Sequence, residues 1–343
     1  LFKECFFING LLEGERITYW ENGVLMHKHN YEKGKENGEF LSYHQNGKLW
    51  IRHHFKDGKL EGESLWYHKN GQLESKGSFK DDKKEGEWLH YRSNGKLWRK
   101  YYYKDGKKDG EWLYYNENSK LYLKNTYKYG KKDGERLKYY DNGQLMEKGN
   151  YKEGKKIGEW LEYYKNGMLY RNGNYKDGKR NGLKTDWHIN GRKESEGNWK
   201  DGKQEGLLTA WYENGQKRTE INYKNGKKEE LQTRWYENGQ KSQEITYKDG
   251  ERDGSFIRWN ENGQKLQEVT YKGGERDGLQ TEWYENGNKV EEGNYEEGRQ
   301  NGIWTWYYET GIKKEETQFI DGQQDGLWTQ WFPDGQRKSE STF

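Results

Sequence analysis

The chain has 343 residues, 29% hydrophobic and 35% charged, with 17 Trp, 29 Tyr, 10 Phe, 45 Gly, one Pro and one Cys. So much charge points toward disorder, but disordered chains lack aromatics, and the two reconcile if burial comes from aromatic side chains in thin, repeated layers. A net charge of +3 argues against a polyanion binder, the single Cys5 excludes an intramolecular disulfide framework or a Cys-based zinc cluster, and no run approaches the ~18 apolar residues of a membrane helix.

Charge is unevenly spread. Residues 1–180 carry 37 basic and 27 acidic side chains, net +10, and residues 181–343 carry 24 and 31, net −7. Taken in order, the chain repeats every 24 residues. A register aromatic falls at Phe7, Tyr31, Phe55, Phe79 and on to Phe343 without a slip. One glycine column runs from Gly14 to Gly326, broken only by Glu230, and another from Gly23 to Gly335, broken only by Ser119. About 14 units follow one another with no insertion to host a binding loop or catalytic site.

Each unit holds two turn signals. One is Tyr103-Lys104-Asp105-Gly106 and its equivalents; the other is Tyr212-Glu213-Asn214-Gly215 and its equivalents. Asp-Gly and Asn-Gly both read as two-residue type I′ turns, which match strand twist. The runs between them are rich in Trp, Tyr, Leu, Thr and Ile and read as strands. The expected fold is therefore all-β: an elongated antiparallel β-meander repeat ribbon or solenoid, with two strands per 24-residue repeat. Parity places Tyr151, Gly158, Trp160, Tyr164 and Leu169 on one face. It places Leu161, Tyr163 and Tyr170 on the other, among Lys155, Glu159 and Lys165. The glycine of the first column is expected to let the ribbon bend, and a bulge there would exchange the faces.

The array 1–343 has two subtypes, 1–181 and 182–343, with no linker between them. The first reads Gly110-Glu111-Trp112-Leu113, with Leu145 after the Asn-Gly turn and Lys148 three residues on. The second reads Gly206-Leu207-Leu208-Thr209, with Lys217 after the turn and Glu220 three residues on. The Tyr163 column also becomes mostly Trp. One solenoid with two differently packed halves is the expectation.

The unit exemplified by Tyr103 to Trp112, and by Trp235-Tyr236-Glu237-Asn238-Gly239-Gln240-Lys241, resembles the bacterial variant of the MORN repeat across essentially the whole chain. That resemblance implies an elongated β-ribbon used as a scaffold for protein contacts, sometimes near membranes. It also implies a relation to YwqK-type antitoxins of toxin–antitoxin systems. The variant has no catalytic residues to carry over.

The candidate partner-binding residues are Trp187, Trp211, Trp235, Trp259, Trp283 and Trp331, with Glu220, Glu244 and Glu268. Regularly spaced aromatics can stack sugars or cage quaternary ammonium groups, although in so polar a chain they are also the natural core. Glutamates of one column lie two strands apart, roughly 10 Å, too far to share an ion, and read as solvated or Lys-paired. Seven of the eight histidines lie in the first 90 residues, and His53 and His54 point to opposite faces. No metal or cofactor is expected, and no Ser/His/Asp or Cys/His constellation or phosphate-binding loop suggests an enzyme. The expected function is non-enzymatic presentation of a long surface to another protein. The alternative is a structural or cell-surface protein that self-assembles through open sheet edges, or meets glycan, envelope or membrane-surface components through its aromatic stripes. Nucleic acid is not an expected partner. No signal-peptide pattern is seen, which favours the cytoplasm, although a start at Leu1 leaves room for an upstream segment.

Overall fold

Alternating apolar residues and paired turn signals fold the repeats into hairpins. A repeat supplies an eight-residue strand, such as Leu145–Lys152 or Lys217–Lys224, and a nine-residue strand, such as Lys155–Tyr163 or Lys227–Trp235. In three repeats the second strand is interrupted one residue before its glycine, as between Lys107–Lys108 and Gly110–Tyr115. The computed structural model describes residues 3–343, and among these there is no helix. The chain forms two compact units, the first ending at Leu169 and the second spanning Tyr170–Phe343. Within each unit, successive strands pair antiparallel in chain order.

The two turns differ. At Asp105-Gly106 both residues have positive φ, 49° and 76°, as a type I′ turn requires. The Asn-Gly turn is not of that type, contrary to the sequence reading. Gly215 has φ 90°, but Asn214 is not left-handed. Gly215 N–H donates to the Tyr212 carbonyl and Tyr212 N–H to the Gln216 carbonyl, closing a three-residue loop with a left-handed glycine. The asparagine serves as a tie instead. Its Oδ1 accepts the Gln216 N–H at 2.8 Å, and its Nδ2 donates to the Glu237 carbonyl of the next repeat at 2.9 Å. Asn46, Asn142, Asn190, Asn238 and Asn286 make the same inter-repeat bond. At the opposite edge, an acidic side chain caps the next hairpin: Glu85 accepts the Asp105 N–H at 2.8 Å, and Glu205 the Asn225 N–H at 2.8 Å. These bonds give side chains that look merely soluble a fixed place in the architecture.

A bulge does form at the first glycine column. Pairing steps from Asn150↔Ile157 to Lys148↔Leu161, and Gly158 has φ 63°. The slip is two residues, so alternation survives and the faces do not exchange. Tyr151 and Trp160 share one face, their rings edge-to-face at 5.1 Å.

That inner face holds the core. In the first unit Trp88, Tyr101 and Trp112 are its buried centre. Trp88 meets Phe79 at 5.1 Å and Trp66 at 5.4 Å, Tyr101 stacks on Trp112 at 3.9 Å, and the Lys84 ammonium sits 4.0 Å over the Trp88 ring. In the second unit Ile245, Phe256 and Val269 form a second buried centre, and Trp304 is fully buried. Each such side chain contributes roughly 1.5–3 kcal/mol relative to exposure.

Candidate functional site

The outer face is built from the alternate residues of the same strands. In the second unit, Lys203–Trp211 places Leu207, Thr209 and Trp211 on it. The next strand adds Glu220 opposite Thr209, and Asn222 opposite Leu207. The threonine column is buried, at Thr185, Thr209, Thr233, Thr281, Thr305 and Thr329.

The residues singled out from sequence lie on this face. Trp187, Trp211, Trp235, Trp259, Trp283 and Trp331 are all half-buried, at the loop end of their strands. Lysine ammonium groups lie 5.8–5.9 Å over three of them: Lys193 over Trp211, Lys217 over Trp235, and Lys313 over Trp331. Glu220, Glu244 and Glu268 are half-buried too, and each is bound by the lysine three residues before it. The distances are 2.6 Å to Lys217, 2.5 Å to Lys241 and 2.8 Å to Lys265. The column is therefore not an open acidic track; its charge is matched within its own strand. At Glu292 burial pushes the carboxyl up, but hydrogen bonds from Lys289 and Tyr307 outweigh it and hold the group below the usual range. Burial and that same bond push the Tyr307 phenol up to about 12.

The sequence reading missed the neighbouring column. Leu183, Leu207, Leu231, Leu279, Ile303 and Leu327 are exposed, by 42% to 62%. In the first unit this column is glutamate, tied across strands to a basic residue: Glu15 to Lys28 at 2.6 Å, Glu39 to Arg52 at 2.6 Å, Glu111 to Lys124 at 2.7 Å. The second unit has exchanged the cross-strand ion pair for an intrastrand one and filled the vacated column with aliphatics, except at Ser255. The signal was present in the sequence, because the glutamate column turns to leucine at Leu183 and its partner column, basic through Lys148, turns to glutamate at Glu196.

Other polar clusters have structural explanations. Asp186, 5% exposed, accepts from Arg171 Nε at 2.5 Å, Ser195 Oγ at 2.8 Å and Lys184. Burial pushes its carboxyl up, but these partners outweigh that and hold it below the usual carboxylate range. Ser195 Oγ donates to this carboxylate as its third partner. His27, His29 and His53 enter the inner ring stack, His53 lying 4.9 Å from Trp66 and 5.9 Å from Phe40. Burial lowers the basicity of His27 and His53, and drives His90 down to about 4, where Lys84 and Arg99 add to it. Among the described residues no three His, Cys, Asp or Glu side chains converge as metal ligands would.

Comparison with known proteins adds the following. A family profile described as "MORN repeat variant" matches thirteen segments, at residues 12–33, 36–57, 60–81, 84–105, 108–129, 132–153, 156–177, 204–225, 231–249, 252–272, 276–297, 300–321 and 324–343. The unmatched stretch 178–203 holds Asp186 and the change of subtype. No curated protein matches the chain. Among solved structures, a TcdB2-TccC3-Cdc42 complex aligns at 12% identity and TM-score 0.18. A Tc holotoxin pore from Photorhabdus luminescens aligns at 12% identity and TM-score 0.19. Each alignment covers 96% of this chain and 20% of the other, so the chain spans a fifth of the length of those it matches.

Proposed function

We propose, from the premise that this chain belongs to the MORN repeat variant family, that it acts by binding another protein rather than by catalysis, and that the outer face of its second unit is the contact surface. The observation that carries this reading is the row of six exposed aliphatics from Leu183 to Leu327, interrupted only by Ser255. Soluble surfaces rarely leave so many aliphatics uncovered in register, and such a row with a polar rim is what protein interfaces bury. Here the rim is the Lys–Glu pairs, whose matched charges leave no net attraction for a polyion. An antitoxin-like role, in which the surface captures and blocks a toxin or effector, is the specific form we favour.

The test compares the full chain with a Leu207→Glu, Leu231→Glu, Leu279→Glu variant as baits in extract from the native host. A protein held by the parent and released by the variant is the expected result. If that protein is a toxin, co-expression with the parent chain should restore growth and co-expression with the variant should not. Equal capture by both baits would remove the reading.

A further inference from the structure

The first unit carries a different surface. We propose that a groove on its outer face, centred on Trp50, binds an uncharged oligosaccharide. The groove has a volume of about 630 Å³ and is lined by the rings of Trp20, His44, Trp50, Tyr67 and His68 together with Gln45, Asn46, Lys69 and Glu74. Two of its rings, Trp20 and His44, are tied to the backbone before any ligand arrives. Trp20 Nε1 donates to the Tyr43 carbonyl at 3.1 Å, and His44 Nε2 lies 3.1 Å from the Tyr67 carbonyl, each reaching one repeat ahead. The polar edges of these two rings are thereby used by the backbone. Trp50 stacks on His44 at 5.5 Å and still remains 39% exposed.

The lining selects the ligand class. It brings one lysine, Lys69, and one glutamate, Glu74, whose carboxylate lies 3.8 Å from the ring of His68, so neither sign of fixed charge is in excess to draw in a cation or an anion. Together with the Gln45 amide, Lys69 and Glu74 supply donors and acceptors around an apolar wall. A sugar has the matching character, with C–H faces for the rings and hydroxyls that both donate and accept. A second groove of about 450 Å³, lined by Tyr19, Glu21 and Met26, shares Trp20 and Gln45 with the first. Equivalent positions in successive repeats lie two strand spacings apart, roughly 10 Å, so the continuous surface suits a chain of sugars better than a single ring. This site lies in the other unit from the protein-binding surface and uses different residues, so either can fail without the other.

The full chain is titrated with cellotetraose and chitotetraose and followed by tryptophan emission and calorimetry. Saturable binding to at least one tetraose, insensitive to high salt, is expected. Trp50→Ala should weaken it about tenfold or more, the usual consequence of removing an aromatic anchor. Glu74→Gln should weaken it with an unchanged far-ultraviolet spectrum, which guards against simple unfolding. Failure of both tetraoses to bind, binding that survives Trp50→Ala, or a response to tetramethylammonium or heparin in their place overturns the proposal.

Discussion

The indole of Trp88 lies directly on the backbone of Gly77, eleven residues earlier: a β-carbon at Gly77 would stand 2.2 Å from the ring. The same pair recurs as Gly149 with Trp160 and Gly293 with Trp304. Gly77 has no positive φ, so the glycine is there for space and not for a turn. Gly77→Ala should destabilise the protein by about 1–3 kcal/mol through overpacking. Gly173→Ala is the control. Its nearest neighbour would be Lys184 Cγ at 3.8 Å, ordinary contact, and its melting temperature should stay near that of the parent. Equal losses at both sites would show that the glycines matter for backbone freedom.

Ser119 and Glu230 stand where every other repeat has glycine, and both are held at φ 60°. Left-handed conformation costs a residue with a β-carbon about 1–2 kcal/mol, partly offset by glycine's greater freedom when unfolded. Ser119→Gly should raise thermal stability, by roughly 0.5–1 kcal/mol. Glu230→Gly should gain less, because the carboxylate accepts the Asn222 amide at 2.7 Å and that bond is lost. A fall in melting temperature at both would contradict the backbone assignment.

The neutral histidines of the inner stack make stability depend on pH. His90 has a folded pKa of about 4, against roughly 6.5 unfolded. Between these values the unfolded chain binds the proton and the folded chain does not, so stability falls as pH drops from 6.5 toward 4. Thermal melts at pH 7 and pH 5 should show a lower melting temperature at pH 5. His90→Phe should reduce that difference, since it removes the titrating group and keeps a ring beside Tyr101, 5.4 Å away. An unchanged difference would exclude His90 as a contributor.

Asp186 holds Arg171, Lys184 and Ser195 together in the second unit. Asp186→Ala would leave two cations facing each other in a largely buried place. A loss of roughly 3–5 kcal/mol, the cost of breaking a buried ion pair from one side, is expected in chemical denaturation. A loss under about 1 kcal/mol would place the cluster among ordinary surface pairs.

Much of this was legible in the sequence because period and parity are local properties. The Tyr151 and Trp160 columns fall on one face, and Leu161 on the other, because side chains alternate along a strand and the bulge slips the register by an even number. The Asn-Gly turn was misread for an equally local reason. The dipeptide fits type I′, but Asn214 is recruited by a carbonyl of the next repeat, a partner 23 residues away that local turn preference does not reveal. The candidate Trp and Glu columns were placed on a face by sequence, whereas the pairing of each Glu with its own strand's lysine needed coordinates.

The sequence by itself determined the repeat length, the positions of the strands and turns, and the two subtypes, since each follows from residues near one another in the chain. Only the tertiary structure decided which of several similar columns is covered. Trp88 and Trp211 look alike as repeated aromatics, yet one is buried on the glycine of a neighbouring strand and the other is half-exposed beside a loop. Leu113 and Leu207 look alike as aliphatics, yet Leu113 is half-buried and Leu207 lies bare. Burial is set by what lies across the strand and in the next repeat, and that is fixed only when the hairpins are stacked in register.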